Sequence, residues 1–154
     1  MTKRQTEKIR ALIDIVTEYD RTQSTTGHLQ ISDPEAVAKV FRPVYQGLKH
    51  EECWVLFLNR ANRIIKKEMM SSGGLDSTTF DVKTIVRKAL VYSASAVIIS
   101  HNHPAGSANP STADIKQTEA LNKALKYMDI HLLDHIIIAE DSVYSLTEQE
   151  IRRL

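Results

Sequence analysis

The chain has 154 residues, 42% hydrophobic and 25% charged, the usage of one ordinary globular domain, which excludes a disordered tail, a collagen-like fibre and a simple coiled coil. Twenty Lys and Arg stand against nineteen Asp and Glu, so the net charge is +1 with no block of like charge, and the basic stripe of a strongly electrostatic nucleic-acid binder is missing. A single cysteine, Cys53, excludes internal disulfides and zinc sites built from several thiolates, and reads as a small buried hydrophobe in a reducing compartment.

The opening MTKRQTEKIR is basic, but Asp14, Glu18 and Asp20 interrupt the next ten residues, so it does not read as a signal peptide. No apolar run approaches the ~18 residues of a membrane span. The expectation is a soluble, cytoplasmic protein without membrane contact. Ile9, Leu12, Ile13, Val16 and Tyr19 recur at helical spacing, which predicts an amphipathic helix over the first twenty residues, followed by the polar stretch RTQSTTGH as a linker. This divides the chain into residues 1–28, helix and linker, and 29–154, the main domain.

In SDPEAVAKVF, Asp33 caps a predicted helix with Pro34 in its first turn and Val37, Val40, Phe41 and Val44 on its apolar face; Pro43 kinks or ends it. CWVLFLN and RIIKKEMM, joined by a turn near residues 60–62, predict a hairpin whose first strand is apolar on both faces and therefore central. SSGGLDSTTF is loop-like; its Gly73-Gly74 pair lacks the following GK[ST] of a phosphate loop and reads as a flexible turn. Asp81 then caps a helix striped by Val82, Ile85, Val86, Ala89 and Leu90. SAVIIS is a short buried strand that runs into HNHPAGSANP, a loop enforced by Pro104, Gly106 and Pro110. A helix with Leu121, Ala124, Leu125 and Met128 on its apolar side starts at Ser111, LLDHIIIA returns as a buried strand, and VYSL precedes a short terminal helix capped by Thr147. Alternating strands and helices give an α/β or α+β domain with a central mixed sheet.

The chemistry concentrates in HNHPAGSANPSTAD. His101 and His103 are two apart at a strand end, so extended backbone points both imidazoles to one side while Asn102 faces away. Asp114 lies in the first turn of the helix that starts at Ser111, and the loop between folds it back toward the strand end. Two imidazoles and one carboxylate match a catalytic zinc site, where three protein ligands leave the fourth position for water. Ser111 and Asp114 also satisfy the S-x-x-[DE] spacing of a capping box, which needs no metal; the two roles are compatible, since a helix N-terminus favours an ionised Asp114 and an oxyanion near Ser111.

H-x-H-P followed by Ser111 and Asp114 resembles the JAMM motif of MPN-domain metalloproteases, and within them the bacterial RadC type, whose usual form reads HNHPSG; Ala105 stands here in place of that Ser. The resemblance runs from about Leu29 to Leu146. It implies a cytidine-deaminase-like architecture, Zn2+ held by His101, His103 and Asp114, Ser111 as a stabiliser of the oxyanion, and an upstream glutamate as general acid and base. Glu51, in EECWVL, fits that last role. Glu52 is its immediate rival, because a strand apolar on both faces leaves side-chain parity undecided, and Glu68 in the next strand is third. Each is otherwise a solvated charge at a strand end or edge. His131, Asp134 and His135 do not share one side of a strand, and Asp134 and His135 read as structural or supporting groups. Tyr45, Trp54, Tyr92 and Tyr127 read as packing residues, and Lys116, Lys123 and Lys126 as the solvated face of their helix.

The implied activity is zinc-dependent hydrolysis of a peptide or isopeptide bond. The deaminases' P-C-x-x-C is absent. The alternative is an accessory module associated with DNA repair or mobile elements and without turnover. RadC-type proteins usually carry an N-terminal helix-hairpin-helix region, whereas about thirty residues precede the matched segment here, and the near-neutral charge predicts weak or absent DNA binding. A third reading, a metal-free scaffold like the inactive MPN proteins, conflicts with the intact ligand set.

Overall fold

A computed structural model describes residues 2–23, 30–73, 80–104 and 106–153. Helices α1 (Lys3–Gln23) and α2 (Pro34–Tyr45) lead into the hairpin β1 (Glu52–Leu58) and β2 (Ile64–Ser72). Then come α3 (Val82–Val91), β3 (Ala96–Asn102), α4 (Thr112–Tyr127) and β4 (His131–Ile138), with β5 (Ser142–Ser145) and β6 (Glu150–Arg153) at the end. The strands form one sheet in the order β2-β1-β3-β4-β5-β6. Among the described residues only β3 and β4 pair in parallel, with α4 as the crossover; every other neighbouring strand pair is antiparallel. The expected mixed sheet between helices is what the sequence folds into.

Strand alternation sorts the core into two layers. Leu56 and Leu58 of β1 and Ile98 of β3 face α2, where Val37, Phe41 and Val44 meet them. Cys53, Val55 and Phe57 of β1 with Val97 and Ile99 of β3 face the other way, onto Ile85 and Ala89 of α3 and Leu121 and Leu125 of α4. Side chains this thoroughly buried contribute roughly 1.5–3 kcal/mol each in transfer free energy, so both faces of the central strands hold the fold together. Asp33 and Asp81 cap α2 and α3, accepting from the Ala36 and Thr84 N–H groups at 2.8 and 3.0 Å. The hairpin turns where expected: Asn62 takes a positive φ of 56°, and the Asn59 side chain accepts from the N–H groups of Ala61 and Arg63.

Several elements differ from their sequence expectation. The terminal helix at Thr147 is instead a turn followed by β6. The T-x-x-E pattern there is real, but the Thr147 N–H and the Ser145 hydroxyl are taken by the Asp134 carboxylate, and β6 completes a ladder with β5. Helix α1 continues through Gln23 into the expected linker, the rest of which lies outside the described residues. Pro43 does not break α2; it sits in the last turn, and the helix ends two residues later. Ser71 and Ser72, expected in a loop, extend β2, and residues 74–79 of that loop lie outside the described residues. Leu90 and Met128 stand about half exposed instead of in the core, and Tyr127 is 88% exposed. Among the described residues no helix is long and apolar enough to cross a membrane.

One irregularity matters for the site. β4 pairs Leu132 with Val97 and Asp134 with Ile98, so Leu133 is an extra residue on the β4 side. An inserted residue reverses the facing of everything after it. Leu132 packs with the α3–α4 layer and Leu133 with the α2 layer, yet His135 lies against the α4 side again.

Candidate metal centre

The site lies at the C-terminal end of β3, next to its one parallel neighbour. His101, fully buried, is in the strand; His103 is just beyond it, with its N–H donating to the Ile138 carbonyl at 2.9 Å, so the β3–β4 ladder carries on to that residue. Both imidazoles therefore project to one side, and their Nε2 atoms lie 3.0 Å apart. Asp114, in the first turn of α4, brings Oδ2 to 3.5 Å from His101 Nε2 and 3.7 Å from His103 Nε2. Each residue offers one ligand atom within 4.8 Å of the others, the expected trio, and it is the metal-capable cluster among the described residues.

Asp114 belongs to a capping box as well. Its carboxylate accepts from the Ser111 N–H at 2.8 Å while Ser111 Oγ accepts from the Asp114 N–H at 3.0 Å. The cap and the cluster coexist, with the cap fixing the carboxylate's direction. Ser111 Oγ uses a lone pair in this bond, which leaves its O–H to donate elsewhere.

The donor set suits a divalent cation. His103 Nδ1 lies 2.9 Å from the Ser107 carbonyl, which can only accept, so in the neutral ring Nδ1 carries the proton and the Nε2 lone pair faces inward. Electron-pair donors thus converge on one point, the arrangement a cation compensates. Burial disfavours charge on His103, but the Asp114 carboxylate, the Ser107 carbonyl and the Glu51 charge outweigh it and raise its pKa above the ordinary value. Burial likewise opposes ionisation of Asp114, and the two imidazoles with the Ser111 N–H reverse this and hold its carboxyl well below the usual carboxylate range.

The three glutamates are sorted by strand geometry. Glu51 precedes β1 with its carbonyl accepting from the Gly73 N–H, and it shares parity with Cys53, whose face is that of His101. Its charge is felt at His103. Glu52, expected as a solvated strand-end charge if not a base, is neither on that face nor solvated. It is 1% exposed on the α2 side, ion-paired to Arg10 at 2.6 Å and bonded to His50 at 2.9 Å and the Trp54 indole N–H at 3.0 Å. Glu68 pairs opposite Val55 and is engaged by Lys88 and Tyr92 of the α3 segment.

Asn102 faces away from the cluster, as expected, and has a task the sequence did not reveal. Its Oδ1 accepts from the Glu52 N–H at 2.7 Å and its Nδ2 donates to the His50 carbonyl at 3.0 Å. One side chain between the two histidines therefore clasps both peptide groups that flank Glu51. His135 was legible only as a supporting group; it is buried with Nε2 2.6 Å from His101 Nδ1 and Nδ1 2.6 Å from Thr118 Oγ1. Thr118 carried no signal in the sequence beyond lying one helical turn after Asp114, to whose carbonyl its hydroxyl donates at 2.6 Å. Cys53 is buried beneath the cluster, and burial together with the Asp114 charge pushes its thiol pKa up, which keeps it protonated. Beside His103 opens a cleft of about 650 Å³ lined by Arg42, Gln46, Leu48, Asn102 and Glu140.

The family model described as the RadC-like JAB domain matches residues 31–151. Among similar proteins, the UPF0758 protein of Flavobacterium johnsoniae is 38% identical over 79% of this chain and 53% of its own length. That of Porphyromonas gingivalis is 40% identical over 74% of this chain and 50% of its own length. The Escherichia coli UPF0758 protein YfjY is 36% identical over 86% of this chain and 82% of its own length. The chain thus spans about half the length of the first two relatives. With the histidine pair, the capping aspartate and the sheet order that joins them all inside the matched segment, the chain belongs to the RadC-like JAB domain family.

Proposed function

We propose that this domain is a zinc-dependent hydrolase that cleaves a peptide or isopeptide amide bond. The observation that carries the reading is the inward convergence of His101, His103 and Asp114, with a hydroxyl at Ser111 and a carboxylate at Glu51 on the same side of the sheet. Two nitrogens and one carboxylate oxygen are the donor set of a catalytic zinc site with one position open. A zinc ion there supplies Lewis acidity toward a carbonyl and a lowered pKa for water.

The protein's own groups do the rest. Glu51 accepts the proton of the attacking water and delivers it to the departing nitrogen. The Ser111 hydroxyl donates to the carbonyl oxygen as negative charge grows on it, and the N-terminal end of α4 favours that charge. A net charge of +1 favours this reading over a DNA-associated accessory role, and weak or absent DNA binding is the companion expectation.

Metal analysis after zinc loading and dialysis tests the centre: one zinc per chain is expected in the wild type and none in His103→Ala, with the fold retained because the sheet has its own core. A wild type that stays empty overturns the reading. A cleavage screen of proteome-derived peptides and isopeptides with the zinc-loaded protein then identifies the bond.

A further inference from the structure

His101 and His103 have their outer nitrogens held in different ways. His103 Nδ1 meets the Ser107 carbonyl, an obligate acceptor, so its proton is fixed. His101 Nδ1 meets another imidazole, His135, which can accept or donate. Which nitrogen of His101 carries the proton therefore depends on what His135 does, and that in turn on Thr118, whose hydroxyl can also do either.

The ambiguity ends at a group with no choice. Thr118 Oγ1 lies 2.6 Å from the Asp114 carbonyl, which only accepts, so the one hydroxyl proton goes there. Thr118 Oγ1 must then accept from His135 Nδ1–H. His135 Nε2 is left as a lone pair, which must accept from His101 Nδ1–H, and the lone pair of His101 falls on Nε2, toward His103 and Asp114. His101 and His135 are each 1% exposed, so solvent does not offer either ring another partner. The extra residue Leu133 in β4 is what turns His135 onto the face of His101.

We propose that His135 and Thr118 are positioning residues, a relay that starts at the Asp114 carbonyl and fixes His101 in the tautomer able to ligate metal through Nε2. The proposal rests on the zinc reading for its purpose, though not for its hydrogen bonding. The reversed relay, with His135 Nε2–H donating to His101 Nδ1, would put a proton on His101 Nε2 and block the ligand. An acceptor-only partner is the usual device for orienting a ligating histidine, and here a carbonyl of one ligand residue sets the proton of another through two intermediates.

The test uses the full chain, with zinc as the only ligand. In metal-free, 15N-labelled wild type with neutral imidazoles, NMR is expected to show the His101 proton on Nδ1. Thr118→Val keeps the side-chain volume and removes the hydroxyl, and it is expected to move that proton in part to Nε2 and to weaken zinc binding by roughly 10- to 100-fold in competition with a chelator. Thr118→Ser is expected to restore both, which a merely structural role for the methyl group would not do. A wild-type His101 protonated on Nε2, or a Thr118→Val that binds zinc as tightly as wild type, overturns the relay. A wild type with the proton on Nδ1 that takes up no zinc upholds the relay and overturns the zinc reading.

Discussion

Cys53 stands directly opposite His101 in the antiparallel β1–β3 ladder, and both side chains lie on the face covered by α3 and α4. Glu51 lies two residues before Cys53, and its charge is felt at His103. If Glu51 transfers protons without ligating metal, Glu51→Gln keeps the fold and the bound zinc and lowers hydrolysis by roughly 100-fold or more. Zinc content and turnover, measured together on any substrate found by screening, check this. Loss of zinc in the variant would make Glu51 a ligand instead.

Glu52, one residue on, behaves in the opposite manner. Its carboxylate is buried against Arg10, whose side chain is 22% exposed. Glu52→Gln is expected to lower the unfolding free energy by about 3 kcal/mol, the lower end for breaking a buried pair, because Arg10 keeps some access to water. Zinc content is expected to be unchanged. Urea denaturation decides, and a loss below about 1 kcal/mol would show that the remaining partners suffice.

Ser111 caps α4, and a single substitution can separate that task from the proposed stabilisation of an oxyanion. Glycine serves nearly as well as serine at a helix N-cap, so Ser111→Gly is expected to leave stability within a few tenths of a kcal/mol. It removes the hydroxyl proposed to meet the developing charge, and turnover is expected to fall by roughly 100-fold with KM little altered. Equal turnover in the two proteins would confine Ser111 to capping.

Glu68 tests the sheet rather than the site. Burial raises its pKa, but Lys88 and the Tyr92 hydroxyl overcome this and lower it below the ordinary value. A depressed carboxylate stabilises the fold above its unfolded pKa and loses that contribution as pH falls through the folded value. Glu68→Gln is therefore expected to be less stable than wild type near neutrality by roughly 1 kcal/mol, and the gap to close below about pH 4. Thermal melts across that range check it, and a gap that persists in acid would assign the loss to packing.

The metal-capable trio was legible in the sequence because it is local: a strand end, a turn-rich loop and a helix start place His101, His103 and Asp114 through short-range geometry alone. The facing of the candidate general base was not. Choosing between Glu51 and Glu52 needs the facing of β1, and a strand that is apolar on both sides conceals it until the pairing of Cys53 with His101 is known. His135 was hidden for a related reason, since its facing depends on the unpaired Leu133, an irregularity that leaves no mark on hydrophobic periodicity. At Thr147 the local pattern was present, but its N–H is claimed by the distant Asp134 carboxylate and its hydroxyl by the Leu133 carbonyl.

The Asn102 clasp touches only peptide groups, the His50 carbonyl and the Glu52 N–H, and so is indifferent to what side chain residue 51 carries. Position 51 is in that sense held by its backbone beside the metal-capable cluster. A histidine or a cysteine introduced there would be presented by the same backbone, which makes this residue the natural place to probe the proposed proton transfer by exchanging side chains without rebuilding the sheet.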